Sequence, residues 1–242
     1  MSLRDVRAIS FDADGTLWDF ERAMRHSLAL ALEEMRREVG SAAAGLDVEE
    51  LIRIRDRVAA SSKRLSLEEG RLEAFRETLR GIGHPDEALA RRLCALYLHH
   101  RFRDIELYQD VLPALQRLRG RYRLGLLTNG NTNPERCGLA GVFDFVVMAQ
   151  EQGFTKPDPR LFGLAMARAA CQADEILHVG DSWDNDVIGA LNAGLQAVWL
   201  NREGKPAPAS MPGLREIRSL VELPGLLGVE RGPSPPDSSP IS

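Results

Sequence analysis

Short apolar runs and amphipathic helical repeats follow one another along the chain, and their order predicts the fold. Residues 6–11 (VRAISF) are short, apolar and bounded by a turn signal, which is typical of a buried strand. From about Phe20 to Asp104 the apolar positions recur every three or four residues, which predicts four amphipathic helices. Ser66 followed by Glu69 is a capping-box signature that predicts the start of the third helix.

After Tyr108 the pattern changes to apolar runs that alternate with helical segments. The predicted strands are RLGLLT, which ends at Thr128, and then FDFVVMA, ILHVGD and LQAVWLN. Helices are predicted at 111–118, after Thr128, at 159–169 and through Ile188 to Asn192. Such alternation predicts an α/β protein with a parallel sheet and helices on both faces. The chain is thus one strand, a helical insertion, and the rest of a doubly wound sheet.

Composition and charge narrow the class of protein. The chain has 242 residues, 44% of them hydrophobic and 27% charged, which is typical of a globular protein. The net charge of −4 supplies no basic surface, so we expect no nucleic-acid partner. No apolar stretch approaches the roughly 20 residues of a membrane span, and the charged N-terminus is unlike a signal peptide. We therefore expect no membrane partner, and we predict no particular oligomeric state.

The number and spacing of the three cysteines indicate the kind of cellular compartment in which the protein is expected. Cys94, Cys137 and Cys171 are an odd number without a CxxC pair, which argues against a disulfide framework or a structural zinc site. We therefore expect a reducing, cytoplasmic compartment.

Polar residues follow four of the predicted strands. The first strand is followed by Asp12 and Asp14, the second ends in Thr128 and Asn129, Lys156 follows the third, and Asp181 ends the fourth. In an open parallel sheet ligands bind beyond the carboxyl ends of the strands, so these residues are expected to converge at one edge. Taken singly, each has a common structural explanation as a turn, a loop or a helix cap. Four such explanations in this order, at four strand ends, are together improbable.

The residue types form a coherent chemistry. A carboxylate can act as a nucleophile and form an acyl-phosphate, and a second carboxylate can protonate the leaving oxygen and later activate water. Aspartates without histidine or cysteine suit Mg²⁺, which prefers oxygen ligands. The metal and a lysine would offset the repulsion between the aspartates and neutralise a phosphate. A threonine hydroxyl and backbone amides can hold phosphate oxygens.

The motifs ISFDADGTL, LLTNG, TKPDP and VGDSWDND, in this order, resemble those of the haloacid dehalogenase (HAD) superfamily. The resemblance implies a Rossmann-like core formed by residues 1–18 and 105–225. It implies a helical cap at 19–104, where the family places one. Residues 226–242 are rich in proline and serine and are expected to be disordered.

Carried over to this chain, the resemblance implies a role for each motif residue. Asp12 is the expected nucleophile and an Mg²⁺ ligand, and Asp14 the general acid and base, with its backbone carbonyl on the metal. Thr128 would bind phosphate through its hydroxyl, helped by the amide of Asn129. Lys156 would pair with Asp12 and with the phosphate, and Asp181 would be an Mg²⁺ ligand. Asp186 would act on the metal from outside its direct ligands, or as a ligand through a water molecule.

Asp14 also separates the chemistries of the superfamily. Dehalogenases, which expel a halide that needs no proton, lack an aspartate two residues after the nucleophile, as do phosphonoacetaldehyde hydrolase-like enzymes. Phosphatases and phosphomutases have it. The chain is therefore predicted to be an Mg²⁺-dependent phosphatase of a small phosphomonoester, acting through a phospho-aspartate. The alternatives are a β-phosphoglucomutase-like phosphomutase and a non-catalytic HAD-like binding module.

The predicted substrate is a small-molecule phosphate ester whose identity stays open among nucleotides, sugar phosphates and phosphoglycolate. The stretch EEGRLEAF is similar to that of nucleotide phosphatases and N-acylneuraminate-9-phosphatase relatives. Lys63, Arg64 and Arg71 are candidates to contact the substrate from the cap, and a solvated charged face is the alternative interpretation.

Overall fold

A computed structural model describes residues 3, 5–61 and 65–229, and it contains a six-stranded parallel sheet. The strands are β1 (Ala8–Phe11), β2 (Arg123–Thr128), β3 (Phe145–Met148), β4 (Ile176–Gly180), β5 (Gln196–Leu200) and β6 (Arg215–Ile217). Their order in the sheet is β3-β2-β1-β4-β5-β6. The predicted α/β class and parallel sheet are confirmed.

Eight α-helices accompany the sheet in the described part of the chain. They are α1 (Phe20–Val39), α2 (Val48–Ser61), α3 (Leu67–Gly81), α4 (Glu87–Arg103), α5 (Val111–Leu118), α6 (Pro159–Ala169), α7 (Gly189–Asn192) and α8 (Leu223–Leu226). Apolar residues of α5 and α8 pack on one face of the sheet. Those of α6 and α7 pack on the other face, so the sheet is covered on both sides as its continuous apolar strands require.

The strand order places a crevice between β1 and β4. From β1 the chain continues to β2 and β3 on one side of the sheet, and it then returns to β4 on the other side of β1. Neighbouring connections therefore leave the sheet in opposite directions at β1 and β4. Ligands of open α/β sheets bind at this kind of switch point, beyond the carboxyl ends of the strands.

Helices α1 to α4 have an apolar core of their own. Met24, Leu28 and Met35 of α1 pack with Leu89 and Leu93 of α4 and with residues of α2 and α3 in one buried cluster. The capping box predicted at Ser66 is present, since its hydroxyl accepts from the Glu69 amide and the Glu69 carboxylate accepts from the Ser66 amide. We call residues 20–103 the helical insertion.

The structure differs from the sequence prediction at three places. The helix expected after Thr128 is only a one-turn 3-10 helix (Pro134–Cys137), and strand β6 was not predicted. Helix α8 ends at Leu226 and Val229 is buried, so residues 226–229 of the expected disordered tail pack on the core. Residues 230–242, like Lys63 and Arg64, lie outside the described residues.

A membrane-spanning helix needs about 20 predominantly apolar residues. Within residues 3, 5–61 and 65–229, no helix is long and apolar enough to span a membrane.

Candidate active site

Asp12 lies directly after β1, at the switch point of the sheet. Its backbone amide donates to the carbonyl of Val179 in β4 (2.9 Å), which fixes the residue between the two central strands. Only 8% of Asp12 is exposed. Burial raises the pKa of the Asp12 carboxyl well above its ordinary value, the nearby charges of Asp186 and Asp181 raise it further, and the ammonium of Lys156 opposes them.

Lys156 is a buried cation between two carboxylates. Its Nζ donates to Oδ1 of Asp12 (2.6 Å) and to Oδ1 of Asp186 (2.5 Å). Burial alone would lower the pKa of Lys156, but the charges of Asp12 and Asp186 outweigh burial and raise it. The lysine is therefore charged, and two of its three N–H donors bind the two aspartates.

Asp186 is held by more partners than any other carboxylate of the site. It lies in a π-helical turn (Trp183–Ile188) and also accepts from Nε2 of His178 (3.1 Å) and from the Ser182 amide (3.0 Å). Burial would raise the pKa of Asp186, but Lys156 and His178 lower it well below its usual range. A Cβ on Gly180 would lie 2.3 Å from Cγ of Asp186, so this contact requires glycine there.

Asp181 follows β4 and faces the turn after Asp14. Its Oδ1 accepts from the hydroxyl of Thr16 (3.1 Å). Burial and then the charge of Asp186 raise the pKa of Asp181 to about 6. Gly15 has a positive φ of 84°, and a Cβ there would lie 2.7 Å from Oδ2 of Asp181. The glycine of the DADGT segment thus serves both the turn and the close approach of this carboxylate.

The carboxylate of Asp14 lies over the loop that follows β2. The indole Nε1 of Trp18 donates to Oδ1 of Asp14 (2.6 Å). A Cβ on Gly130 would lie 2.7 Å from Oδ2 of Asp14 and 3.3 Å from Oγ1 of Thr128. Asp14 and Thr128 therefore converge on Gly130, although they come from different strands.

The two polar residues that end β2 make local contacts. The hydroxyl of Thr128 accepts from the Gly130 amide (2.9 Å). The side chain of Asn129 binds the backbone of Lys156: Nδ2 donates to its carbonyl (3.1 Å) and Oδ1 accepts from its amide (2.7 Å). Asn129 therefore positions the loop of Lys156 through its side chain, and the phosphate contact expected of its backbone amide stays a prediction.

Three carboxylates form a group that fits a divalent cation. One oxygen each of Asp12, Asp181 and Asp186 lies within 4.8 Å of the other two. Three negative charges meet the single ammonium of Lys156, so a cation would restore the balance of charge. The donors are all hard carboxylate oxygens, which suit Mg²⁺ in preference to softer transition metals.

A cleft of about 790 Å³ reaches the site at Asp14 and Asp181, whereas Asp12 and Lys156 are not among its lining residues. Asp14, Gly15 and Asp181 line it from the sheet, and Phe20 and Arg22 line it from the start of α1. This volume is within the range of small-molecule sites. The helical insertion therefore contributes one wall of the cleft.

Several residues of the site were not among the predicted set. His178 is a polar residue inside an otherwise apolar strand, and this interruption was the available signal; its Nδ1 bonds Ser10 (2.8 Å) and its Nε2 bonds Asp186. Burial lowers the pKa of His178. Arg101 of α4 donates to Thr132 (2.7 Å) across the boundary between insertion and core, and no sequence pattern marks that contact.

The chain is similar to proteins of known class. A model of the haloacid dehalogenase-like hydrolases matches residues 6–194. N-acylneuraminate-9-phosphatase of Homo sapiens is 31% identical, over 94% of this chain and 96% of its own length. The 5-amino-6-(5-phospho-D-ribitylamino)uracil phosphatase YigB of Escherichia coli (strain K12) is 30% identical, over 82% of this chain and 84% of its own.

A solved structure is similar along almost the whole chain. The 2-haloacid dehalogenase from Pseudomonas syringae pv. Tomato DC3000 superposes with a TM-score of 0.75 at 33% identity, covering 92% of this chain and 98% of its own. Together with the family match, this confirms the resemblance carried by the four motifs: the chain belongs to the haloacid dehalogenase-like hydrolases.

Proposed function

We propose that the protein is an Mg²⁺-dependent phosphatase that hydrolyses a small phosphomonoester through a phospho-aspartate on Asp12. The observation that carries the proposal is the arrangement of Asp12 and Asp14, which both belong to the short loop that follows β1. Asp12 is buried against Lys156, and Asp14 is held by Trp18 over Gly130. One carboxylate is thus available as a nucleophile and the other as an acid and base.

In the first step an oxygen of Asp12 attacks phosphorus and the bond from phosphorus to the leaving oxygen breaks. Lys156 donates to Oδ1 of Asp12, and no hydrogen bond to Oδ2 occurs among the described residues, which supports Oδ2 as the attacking atom. Asp14 gives its proton to the leaving oxygen, so the alcohol departs neutral. Burial raises the pKa of Asp12, whereas the ammonium of Lys156 favours its charged form, and a bound Mg²⁺ would favour that form further.

In the second step water cleaves the phospho-aspartate. Asp14, now ionised, takes a proton from the water as it attacks phosphorus, and inorganic phosphate leaves as Asp12 is restored. The indole of Trp18 limits the orientation of Asp14 in both steps, because it donates to Oδ1 and leaves Oδ2 toward the loop of Thr128. The hydroxyl of Thr128 and the loop amides would bind the phosphate oxygens, and the bond from the Gly130 amide to that hydroxyl supports its orientation.

Asp12, Asp181 and the backbone carbonyl of Asp14 would hold the metal, with Asp186 beside them. When bound, Mg²⁺ supplies positive charge that offsets the charge of the aspartates and of the phosphate. Lys156 remains necessary because it bridges Asp12 and Asp186 and keeps both oriented.

The helical insertion is proposed to be a cap over the site, since it forms one wall of the cleft. Two similar proteins are phosphatases named for phosphorylated small molecules, which supports a small substrate here. Asp14 favours this class over the dehalogenase activity named for the similar structure. Cys94, Cys137 and Cys171 are unpaired, which supports a cytoplasmic location.

The test is phosphate release from nucleotides, sugar phosphates and phosphoglycolate, with Mg²⁺ or with EDTA. We expect release by the wild type that requires the metal, and a loss of at least a thousandfold in Asp12→Asn because the nucleophile is gone. Asp184→Asn is the matched control, since Asp184 lies exposed in the same turn as Asp186 and should retain full activity. In Asp14→Asn both steps should slow on these esters, but with p-nitrophenyl phosphate, whose leaving group needs no proton, the phosphorylated protein should accumulate, detectable by mass spectrometry as one added phosphoryl group.

Other outcomes would contradict the proposal. Release that persists in Asp12→Asn would exclude the phospho-aspartate. Conversion of a sugar phosphate to its isomer without net phosphate release would indicate a phosphomutase. Absence of both reactions over the whole panel would favour a binding module.

A further inference from the structure

Buried polar atoms without a hydrogen-bond partner are concentrated at one place in the molecule. Five such side-chain atoms occur among the described residues, and the fifth, Nε of Arg202, lies apart. The other four are Nε of Arg71, Oη of Tyr97, Nε of Arg101 and Oδ1 of Asn131. We call these four residues the interface cluster. Buried polar groups in native proteins are nearly always paired, so a concentration of unpaired ones indicates a ligand.

The cluster lies where the insertion meets the core. Tyr97 and Arg101 are one turn apart on α4, and Arg71 lies on α3. Asn131 belongs to the loop after β2 and precedes Thr132, whose hydroxyl accepts from Nη1 of Arg101. Burial lowers the pKa of Arg101, the charge of Asp14 raises it and that of Arg71 lowers it, which indicates that these two side chains lie in its neighbourhood.

Arg101 is the unusual member of the cluster. Its exposed fraction is 1%, and no carboxylate of the described residues lies within ion-pair distance of it. Its guanidinium carbon lies 4.8 Å from the ring centre of Phe20 and 4.5 Å from that of Phe102. Burial lowers the pKa of Arg101 and the Asp14 charge opposes this. Buried arginines are normally paired with an anion, which this one lacks.

The reaction geometry directs the organic part of a substrate toward this cluster. Asp14 protonates the leaving oxygen in the proposed function, so the leaving group must lie beside Asp14. The loop from Thr128 to Thr132 joins the expected phosphate contacts to the Arg101 contact. Phe20 lines the cleft and also lies against the guanidinium, so one ring contacts both the cleft and Arg101.

We propose that the interface cluster binds a carboxylate on the leaving group, with Arg101 as its main ligand, so that the substrate is a phosphomonoester of a hydroxy acid. The inference rests on the proposed phosphatase function. A guanidinium binds a planar carboxylate through two parallel hydrogen bonds. Arg71 adds a second positive charge, and the hydroxyl of Tyr97 and the amide of Asn131 match hydroxyl groups of the same molecule.

The test compares pairs of phosphate esters that differ in the carboxylate. O-phosphoserine is compared with O-phosphoethanolamine, and 6-phosphogluconate with sorbitol 6-phosphate. For the wild type we expect kcat/KM to favour the carboxylated member of at least one pair by about tenfold to a hundredfold, the range for hydrogen bonds to a charged group. Arg101→Gln should abolish this preference, and Arg101→Lys should restore part of it, because the charge returns without the paired geometry.

Arg91→Gln is the matched control, since Arg91 is an exposed arginine of the same helix that pairs with Glu87, and it should leave the preference unchanged. Circular dichroism and thermal unfolding verify that each variant folds, and the ratio of the two esters within one variant cancels general losses. The inference, but not the proposed function, would be overturned by either of two results. One is an equal loss of kcat/KM on both esters of a pair in Arg101→Gln, and the other is a wild type that shows no preference within either pair. A preference for 1,3-propanediol bisphosphate over every carboxylated ester would show that the interface cluster binds a second phosphate group and not a carboxylate, which would overturn the inference. Failure of the wild type to hydrolyse any ester would overturn the proposed function as well.

Discussion

Gly130 lies under the carboxylate of Asp14, and a substitution at Gly130 tests how closely this proposed acid and base must be placed. A methyl group there would lie 2.7 Å from Oδ2 of Asp14 and 3.3 Å from Oγ1 of Thr128. Gly130 does not need a positive φ, so the backbone tolerates alanine. Gly130→Ala should therefore displace Asp14 and lower kcat/KM by about tenfold to a hundredfold with little change in thermal stability.

The control for this variant is Gly81→Ala. Gly81 is the last residue of α3 and a methyl group there would contact nothing within 4 Å. Its activity should equal that of the wild type, with a change in the free energy of unfolding within about 1 kcal/mol. Full activity in Gly130→Ala would show that the position of Asp14 is not limiting.

The titration of the Asp181 carboxyl is expected to make the free energy of unfolding of the metal-free protein depend on pH. Its folded pKa is about 6, above the ordinary 3.8, because burial and Asp186 disfavour its charge. The folded protein without metal then binds the proton more tightly than the unfolded chain, so its free energy of unfolding falls as pH rises from about 4 to about 6. In EDTA, Asp181→Asn should be more stable than the wild type above pH 6, and the difference should vanish below pH 4.

Urea denaturation across this pH range measures the effect. Adding Mg²⁺ at pH 7 should stabilise the wild type by about 2.7 kcal/mol at a hundred times the dissociation constant, and should leave Asp181→Asn almost unchanged. A variant that is less stable than the wild type in EDTA at pH 7 would contradict the raised pKa.

Single residues of the site differ in how well the sequence predicts them. Asp12, Lys156 and Asp181 were expected at one edge because each follows a strand, and the structure brings them together. Arg101 was not expected, because its place depends on how α4 packs against the loop of Thr132, and helical periodicity does not encode that contact. Tertiary contacts between distant segments leave no local pattern in the chain.

At the scale of the elements, local signals were reliable where caps and apolar periods agree. Helix α6 has the predicted bounds because Asp158 caps its first turn and Pro159 begins it. The segment after β2 has Pro134 and ends at Gly138 in the left-handed conformation, and these residues limit it to one 3-10 turn. Strand β6 was not predicted because Arg215 and Glu216 are exposed, so only Ile217 carries an apolar signal.

Ser66 tests a cap that the sequence predicts and the structure contains. Its hydroxyl accepts from the Glu69 amide (3.2 Å), and its own amide donates to the Glu69 carboxylate (2.8 Å). Ser66→Ala should lower the free energy of unfolding by about 1 kcal/mol, because the first turn of α3 loses an acceptor for its amides. Hydrogen exchange should quicken in that turn.

Ser61→Ala is the comparison for the cap. The Ser61 hydroxyl donates back to the Arg57 carbonyl at the end of α2, a bond that adds little to helix stability. Its cost should stay within about 0.5 kcal/mol. Equal costs for the two serine variants would show that the capping box contributes nothing.

At the scale of the whole molecule, Asp110 joins segments that are far apart in the sequence. Its carboxylate accepts from Nη1 (2.7 Å) and Nη2 (3.0 Å) of Arg202, from the Ser219 hydroxyl (2.7 Å) and from the Leu220 amide (2.8 Å). Nη2 of Arg202 also donates to the carbonyl of Thr16 (2.7 Å), in the turn that follows Asp14. The last strands and the C-terminal segment are thereby connected to the turn of the candidate active site.

Asp110→Asn should weaken both stability and catalysis. Burial would raise the pKa of Asp110, but the hydrogen bonds from Arg202, Ser219 and Leu220 outweigh it and hold the pKa below the ordinary 3.8. Its stabilising contribution is therefore complete above about pH 4 and is lost as pH falls through the lowered pKa. At pH 7 the variant should lose roughly 2 kcal/mol in urea denaturation, and this difference should shrink below pH 4. Its kcat should fall because Arg202 no longer holds the Thr16 carbonyl.

Asp56→Asn, which breaks an exposed pair with Arg55, should cost less than about 1 kcal/mol and leave kcat unchanged. If the two variants behave alike, or if the loss in Asp110→Asn does not depend on pH, the Asp110 carboxylate does not connect these segments energetically.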